Sequence, residues 1–405
     1  MEAPVKTRGA PSGKRKETRF LSFFLWPGKS RARAGLIIGL WLLGGCAGAG
    51  KFSGELDQLL AEATAADVTA IHIAEIHADR IVTHNAGVAS LTTRAPIRDD
   101  SRIRIASLGK LYISALAASY VLDEKLDLDE QIAPWLRHSG LFGDPLSARV
   151  TWRMLLDQTS GFENYTDLPG WRRKKFGEAP QQGWSVEQVY RLLRPYPLRF
   201  VPGSRWSYSN SNTLLFADGL ETRAGYSLER QLEERVFRPA KITGTHLDNG
   251  DYNADWVHGY LGATPKRDTL RWRHALYDAG LTSSLSELAR FLRFLYFDAH
   301  PIARFLREHW TACRQEKNTA EGGVYCLGMN RQQTGAGSAY FHIEGNWPGY
   351  HTSSLFFPES GRAVLIFTAT TSGRADSWHE KLEDFYLGKE AVRAGDKPGN
   401  YGQSP

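Results

Sequence analysis

Residues with strand character lie near both ends of this chain of 405 residues. Towards the N-terminus, residues 67–76 and 80–85 are apolar or alternate between apolar and polar positions, with turn residues between them. The same character returns towards the C-terminus in three runs, at 338–344, 351–357 and 362–369. We expect these five runs to form strands of one antiparallel sheet.

Between the two groups of strands, the apolar residues repeat with the period of a helix. Residues 55–65 and most of 107–240 have this period, with polar loops expected at 139–149, 159–185, 199–207 and 311–337. Further helices are expected at 286–298 and 375–387. This order predicts an α+β fold: an antiparallel sheet from N- and C-terminal strands, flanked by helices and interrupted by an all-helical insertion.

Basic residues are concentrated in the first 45 residues, which hold nine Lys or Arg and two Glu. They contribute +7 to a formal net charge of +6, so the remainder of the chain carries −1. The excess of positive charge therefore lies entirely in this segment. No basic stripe with interleaved aromatic residues is left to predict nucleic-acid binding.

An apolar run of 12 residues, 34–45, follows the basic stretch. It is too short to span a bilayer but suits the apolar region of a signal peptide. Cys46 comes directly after Leu-Gly-Gly, which resembles the cleavage site of bacterial lipoproteins, where that cysteine is lipidated. The alternatives are an ordinary signal peptide with an incidental cysteine and a short signal anchor. We expect a lipid anchor on the periplasmic side of the bacterial cell envelope, and Ala47 favours the outer membrane.

The expected organisation has four parts. A lipoprotein-type signal peptide occupies 1–45, and the lipidated cysteine with a tether occupies 46–60. The folded domain extends over 61–388. The tail, 389–405, is polar and rich in Gly and Pro, and we expect it to be disordered.

Two further cysteines, Cys313 and Cys326, lie 13 residues apart in the domain. Export permits a disulfide at this separation, and two buried free thiols are the alternative. Neither cysteine has a histidine pattern near it that would indicate a metal site or a catalytic thiol. We expect no metal and no organic cofactor.

The motif Ser-Leu-Gly-Lys at 107–110 offers candidate chemistry. It follows a strand-like run at 103–105 and opens an apolar-periodic helix, where Ser107 and Lys110 share one face. A hydroxyl beside an amine is a nucleophile with its own base. The positive end of the helix favours the negative charge that develops in acyl transfer. Taken alone, the motif is better explained by a serine that caps a helix.

Four segments, in order, resemble the motifs of one superfamily. They are RIASLGK at 104–110, VTWRMLLDQTSGF at 150–162, FVPGSRWSYSNSNTLLFADGLE at 200–221 and AGLTSSLSELARFL at 279–292. Together they are similar to the serine β-lactamase and penicillin-binding-protein superfamily. The resemblance is closest to its class C-like branch of β-lactamases, D-aminopeptidases and esterases (S12-like peptidases), over about residues 65–385.

The resemblance implies roles for two residues of the Tyr-Ser-Asn motif at 208–210. Tyr208 would work with Lys110 to take the proton of Ser107, and would then protonate the leaving group. Asn210 would hydrogen-bond the substrate or Lys110. A packing tyrosine and a turn asparagine are the alternatives, which the Ser-x-x-Lys motif upstream disfavours.

The third motif of the family, Lys-Thr-Gly or His-x-Gly on an edge strand, differs here. Alignment of Pro-Gly-Tyr at 348–350 puts Ile343 at the Lys/His position. Ile343 there would remove the cation that grips a substrate carboxylate, and would favour neutral esters over penicillin-like or peptidoglycan substrates. A bulge or shift of one residue keeps His342 functional instead, and we favour that alignment. In both alignments Gly345 lets the strand backbone approach the substrate.

These residues predict a serine hydrolase that acts on a small molecule or a peptide. Ser107 would attack an ester, amide or lactam carbonyl, and the oxyanion hole would combine the N–H of Ser107 with a strand N–H near Asn346. Water would release the acyl-enzyme, whereas in the transesterases of the family an alcohol or amine takes its place. A non-catalytic, membrane-tethered binding protein on the same fold is the remaining alternative.

We predict that a fluorophosphonate or a fluorescent penicillin labels Ser107 in the wild type. The Ser107→Ala variant should not be labelled, because the nucleophilic oxygen is gone. Peptide mass spectrometry of the labelled protein identifies the modified residue. Labelling by neither probe would favour the binding protein over the hydrolase.

Overall fold

The computed structural model describes residues 54–171, 184–250, 252–260, 269, 276–278, 280–313, 323–334, 337–370 and 375–393. These residues belong to one compact unit, Ala49–Pro405. The expected signal peptide and Cys46 lie outside the described residues, as do residues 394–405. Within the described ranges, no helix is both long and apolar enough to cross a bilayer.

A seven-stranded antiparallel sheet organises the fold, with the strand order β2-β1-β10-β9-β8-β7-β6. Strands from the two ends of the chain meet at β1 and β10, where Ile73 lies opposite Ile366. The expected sheet of N- and C-terminal strands is therefore confirmed. Its strands are β1 (Val68–Ile76), β2 (Ile81–Gly87), β6 (Val324–Cys326), β7 (Met329–Gln333), β8 (Ala339–Trp347), β9 (Tyr350–Phe357) and β10 (Arg362–Thr370).

The strands β1 and β10 each lie between two other strands of the sheet, and both of their faces are apolar. Every residue of β10 is buried. Successive side chains point to opposite faces, so Ala74 and Leu365 join one hydrophobic core while Ile73 and Ile366 join a second core on the other side. Full burial of each such aliphatic side chain contributes about 1.5–3 kcal/mol.

Helices cover both faces of the sheet. One face packs against α1 and α10, and the other packs against the helical insertion and α8. The helices are α1 (Gly54–Ala66), α2 (Gly109–Leu122), α3 (Trp152–Leu156), α4 (Val186–Leu193), α5 (Asn210–Ala224), α6 (Leu228–Leu232), α7 (Arg238–Ala240), α8 (Leu285–Phe297), α9 (Pro301–Ala312) and α10 (Ala375–Arg393).

Helix α2 is the central helix of the insertion because its apolar residues continue on all sides. Every residue from Gly109 to Tyr120 is buried. Phe291 of α8 stacks on Tyr112 of α2, with ring centroids 3.6 Å apart. The N-terminus of α2, where the Ser-x-x-Lys motif begins, is therefore held by close packing on the helix behind it.

A small sheet of order β3-β5-β4 leads the chain into α2. Its strands are β3 (Arg102–Arg104), β4 (His246–Leu247) and β5 (Leu281–Ser284). Arg104 at the end of β3 is fully buried and donates through Nε to Asp248, at 2.9 Å. This pair fixes β3 two residues before the turn that carries Ser107. The sequence pattern did not predict β4, since two residues carry no periodicity.

The folded part is longer at both ends than the sequence predicted. The expected tether, 46–60, includes the start of α1, where Leu56 is buried. The expected disordered tail, 389–405, includes the end of α10, where Glu390 is buried and accepts a hydrogen bond of 2.6 Å from Arg362. The tail boundary is corrected because buried contacts with the sheet outweigh its polar composition, and the tether boundary is corrected because the helix expected at 55–65 packs on the sheet.

The stretch 311–337 was expected to be a loop, and the structure corrects this expectation too. It contains β6 and β7, which extend the sheet beyond β8. These strands have only three and five residues, and β7 reads Met-Asn-Arg-Gln-Gln. Such short polar strands show no alternation, so only pairing with β8 defines them.

A disulfide joins Cys313 and Cys326. Cys313 follows the last residue of α9, and Cys326 is the last residue of β6. The bond therefore connects a helix of the insertion to the edge of the main sheet. Of the two alternatives for these cysteines, the structure has the bonded pair.

We predict that a Cys313→Ser/Cys326→Ser double variant loses about 3 kcal/mol of unfolding free energy, because the cross-link restricts a loop of 13-residue separation in the unfolded chain. Urea denaturation of oxidised wild type and variant measures the difference. Cys46→Ser is the matched control and should leave the unfolding free energy unchanged. A non-reducing peptide map without a linked 313–326 pair would contradict the assignment.

Candidate active site

Ser107 lies at a sharp junction between strand and helix. It occupies a 3₁₀ turn, Ala106–Leu108, between β3 and α2. Ala106 has φ +48°, in the left-handed region that costs a non-glycine residue about 1–2 kcal/mol. A strained backbone of this kind persists when the surrounding structure fixes it, which is common at active sites. The turn presents the Ser107 hydroxyl at the N-terminal end of α2.

Three side chains from distant parts of the chain meet at this turn. Lys110 Nζ is 2.9 Å from Ser107 Oγ. Tyr208 Oη is also 2.9 Å from Ser107 Oγ, and Lys110 Nζ lies 5.1 Å from the centre of the Tyr208 ring. The hydroxyl of the serine is therefore in hydrogen-bond contact with two groups that can accept its proton.

Lys110 is buried, and oxygen atoms surround its amine. Besides Ser107, Nζ donates to Asn210 Oδ1 at 2.8 Å and to the Asp278 carbonyl at 3.0 Å. Three acceptors match the three N–H bonds of an ammonium group, so the charged form is satisfied. In the neutral form, two N–H bonds can serve Asn210 and the Asp278 carbonyl while the lone pair accepts the proton of Ser107.

The segment 158–164 holds the Tyr-Ser-Asn motif in place. Gln158 Oε1 accepts from the N–H of Ser209 at 2.8 Å, and Asn164 Oδ1 accepts from the N–H of Asn210 at 3.0 Å. Sequence reasoning missed Gln158 and Asn164 as positioning residues. The available signal was their place in the segment VTWRMLLDQTSGF and just after it, which was used only for the family resemblance.

Asp278 is a second residue that sequence reasoning missed. Its carbonyl binds Lys110, and its carboxylate accepts a hydrogen bond of 2.8 Å from Tyr165 Oη. Burial raises the pKa of Tyr165 well above its usual value, and the Asp278 charge raises it further. Tyr165 therefore stays protonated as a donor and fixes the backbone that holds the lysine. The position of Asp278, directly before Ala-Gly-Leu, gave no signal of this role.

Strand β8 forms the opposite wall of the site, and Gly345 is the point of contact. A Cβ at this position would lie 2.6 Å from the Ile105 carbonyl oxygen and 3.1 Å from the Ser107 nitrogen. The first distance is shorter than any normal contact, so only glycine allows this approach. The expected close approach of the strand at Gly345 is thus a steric requirement here.

The part of β8 next to Ser107 is not paired with β7. Strand β7 pairs with residues 339–342 of β8, and this pairing ends at His342. A two-residue loop makes Trp347–Tyr350 the closing pair with β9. Because bonded and non-bonded pairs alternate, the N–H of Asn346 points away from β9. Both this N–H and that of Ser107 then lie beside Gly345, as an oxyanion hole requires.

The structure corrects the expected role of His342. Its Nε2 lies 3.1 Å from Glu383 Oε1 of α10, on the face of the sheet away from Ser107. The register with β9 runs without interruption from Phe341 to Trp347, so no bulge shifts the motif. Period-two alternation therefore places Ile343 on the same face as Gly345.

Asn346 shares a face with His342 and has an exposed side chain, so only its backbone can serve the site.

The groups around Ser107 are one amine, one phenol, one amide and backbone amides, which suit acyl transfer. Among the described residues, a cluster of possible metal ligands (His342, Glu344 and Glu383) lies on the opposite face.

A serine nucleophile, its lysine and tyrosine partners, and this α+β fold define a serine hydrolase. A family model described as Beta-lactamase matches residues 56–384. The chain belongs to this family.

Curated relatives match part of the chain. A D-aminopeptidase of Brucella ovis is 31% identical over 224 residues, which is 53% of this chain and 40% of the relative. A D-aminopeptidase of Brucella anthropi is 28% identical over 264 residues, which is 63% of this chain and 47% of the relative. The match thus spans less than half the length of each relative.

Solved structures share the fold at low sequence identity. A penicillin-binding protein homologue from Pyrococcus abyssi superimposes with a TM-score of 0.70 and 18% identity, over 86% of this chain and 78% of that one. A D-amino acid amidase from Ochrobactrum anthropi SV3 gives 0.68 and 19%, over 84% and 98%. A D-stereospecific amidohydrolase from Streptomyces gives 0.65 and 20%, over 79% and 94%. The likeness confirms the β-lactamase-like fold.

We predict that Gly345→Ala lowers kcat on a short acyl ester by about 10²–10³-fold, because the added Cβ pushes β8 away from Ser107 and removes one oxyanion donor. Steady-state kinetics measure the loss, and circular dichroism verifies the fold. Gly388→Ala in α10 is the matched control, since a Cβ there meets nothing within 4 Å. Unchanged turnover in Gly345→Ala would contradict this geometry.

Proposed function

We propose that this protein hydrolyses amide bonds beside D-amino acid residues through an acyl-enzyme on Ser107. The observation that carries the proposal is the meeting of Ser107 Oγ with Lys110 Nζ and Tyr208 Oη, each at 2.9 Å. A binding protein has no chemical need for this arrangement. The proposal concerns an enzyme that needs no bound cofactor for its acyl transfer.

The contacts support a two-step reaction. Ser107 Oγ attacks the carbonyl carbon, and its proton passes to the Tyr208–Lys110 pair. The carbonyl oxygen takes the negative charge between the N–H groups of Ser107 and Asn346. When the C–N bond breaks, Tyr208 returns the proton to the leaving amine. Water then attacks the acyl ester and gives a proton to the same pair, and that proton passes to Ser107 Oγ when the acyl C–O bond breaks.

The third motif supports a substrate without a carboxylate at the β8 position. Ile343 stands on the face of Gly345 and offers no positive charge there. A penicillin or a peptidoglycan stem that relies on a cation at this position would bind less well. The names of the relatives, D-aminopeptidase and D-amino acid amidase, favour an amide carbonyl next to a D-residue.

Export and lipid attachment are part of the proposal. The apolar run 34–45 and the cysteine at position 46 support a lipoprotein signal. The Cys313–Cys326 disulfide agrees with an oxidising compartment such as the periplasm. We therefore assign the enzyme to the cell envelope, held to the outer membrane by a lipid on Cys46.

We predict that D-alanine p-nitroanilide and D-phenylalanine amide are hydrolysed at least about tenfold faster than their L-forms, a difference of ~1.4 kcal/mol in transition-state binding. Hydrolysis of nitrocefin, measured in parallel, should be much slower than hydrolysis of the D-amides. Ser107→Ala should abolish turnover. Ser119→Ala, near the C-terminal end of the same buried helix, should retain it, because the Ser119 hydroxyl donates to the Leu116 carbonyl and not to a site residue.

Three outcomes distinguish the substrate, the reaction class and the enzymatic activity in this proposal. Ser107-dependent cleavage of short esters without any D-preference would overturn the substrate and leave the serine hydrolase standing. Faster turnover of nitrocefin than of every amide would overturn it in favour of a β-lactamase. Absence of turnover and of Ser107 acylation with all substrates would overturn the enzyme itself.

A further inference from the structure

The face of the sheet turned away from Ser107 carries ionisable side chains that acyl transfer does not use. His342 and Glu344 come from β8, and His351 comes from β9. His379 and Glu383 face them from α10. We call these five residues the back-face cluster. It lies where the last helix packs on the sheet.

Three members of the back-face cluster have the spacing of ligands around one cation. His342 Nε2 is 3.1 Å from Glu383 Oε1 and 3.4 Å from Glu344 Oε1. One ligand atom from each of the three lies within 4.8 Å of the others. In a tetrahedral zinc site with bonds of roughly 2.0–2.1 Å, neighbouring ligand atoms are about 3.3–3.4 Å apart.

The charges of the cluster also favour a divalent cation. Glu344 and Glu383 approach each other in a place where the Glu383 side chain is only 11% exposed. Two carboxylates this close repel each other, and water screens the repulsion little on the side of Glu383. One Zn²⁺ would balance both charges and accept the imidazole nitrogen, a ligand that Mg²⁺ and Ca²⁺ use little.

The remaining histidines surround this position as orienting groups. His379 uses its two ring nitrogens on hydroxyls, at 3.0 Å to Thr368 and 2.8 Å to Ser353. Its ring stacks on His351 with centroids 3.8 Å apart. His351 Nε2 in turn lies 3.3 Å from the second oxygen of Glu344. Outer contacts of this kind hold ligating carboxylates in position at metal sites.

We propose that His342, Glu344 and Glu383 form a zinc site that joins β8 to α10. The Glu344 side chain is 40% exposed, so the ion enters from its side and a water completes the coordination. The site is on the opposite face of β8 from Gly345 and takes no part in acyl transfer. Its effect is to fasten the C-terminal helix to the strand that forms the wall of the active site.

The test uses the full chain, stripped with EDTA and titrated with ZnCl₂ by calorimetry. We expect one equivalent of Zn²⁺ to bind and the Tm to rise by several degrees, because the ion binds the folded state and not the unfolded one. Glu344→Gln and His342→Gln should each weaken binding by at least about tenfold. MgCl₂ at the same concentration should leave the Tm unchanged.

Matched controls separate this site from other histidines and from catalysis. His138→Gln removes an exposed histidine that pairs with a single carboxylate, Asp218, at 2.8 Å, and should leave zinc binding intact. Ser107→Ala should also bind zinc normally. Ion pairs between protonated histidines and the glutamates would give the same spacing without any metal. The proposal is overturned if folded wild type binds no zinc, or if the two glutamine variants bind it as tightly.

Discussion

The active site depends on one buried amine and the oxygens that satisfy it. Lys110 Nζ binds Ser107, Asn210 and the Asp278 carbonyl, which come from three separate parts of the fold. A buried ammonium that loses an acceptor costs several kcal/mol, so these elements are coupled by a strong requirement. Each acceptor is in turn fixed by neighbours, Asn164 for Asn210 and Tyr165 for Asp278. The geometry of the nucleophile is therefore a property of the whole insertion.

Strand β8 connects this site to the rest of the molecule. One of its faces touches the nucleophile turn at Gly345, and its other face meets α10 through His342 and Glu344. The alternation of side chains along a strand allows one backbone segment to serve both sides independently. Its open edge supplies backbone N–H groups to the substrate side because β7 stops pairing at residue 342. Position in the sheet, and not side-chain chemistry, makes this strand useful for acyl transfer.

Much of the fold could be predicted from periodicity, and the failures have physical causes. The long strands and α8 have strong apolar patterns, and the structure has them within one to three residues of the expected ends. The short strands β4, β6 and β7 exist only through pairing, so no local pattern marks them. The ends of the domain were placed too far inward because Glu390 and its neighbours look polar in isolation. Glu390 is buried because the tertiary fold brings it to Arg362, which the local sequence does not indicate.

The sequence alone identified Ser107, Lys110 and Tyr208 as residues that meet at the candidate site, because Ser107 and Lys110 share one turn of a helix and the motif at 208–210 belongs to the same ordered set. It could not determine the face of β8 on which His342 points, since a shift of one residue reverses every side chain of a strand. Pairing with β9 decided that point and left Ile343 beside the nucleophile. Only the tertiary structure could bring Gln158, Asn164 and Asp278 to the site, because their roles arise from contacts between segments far apart in the chain.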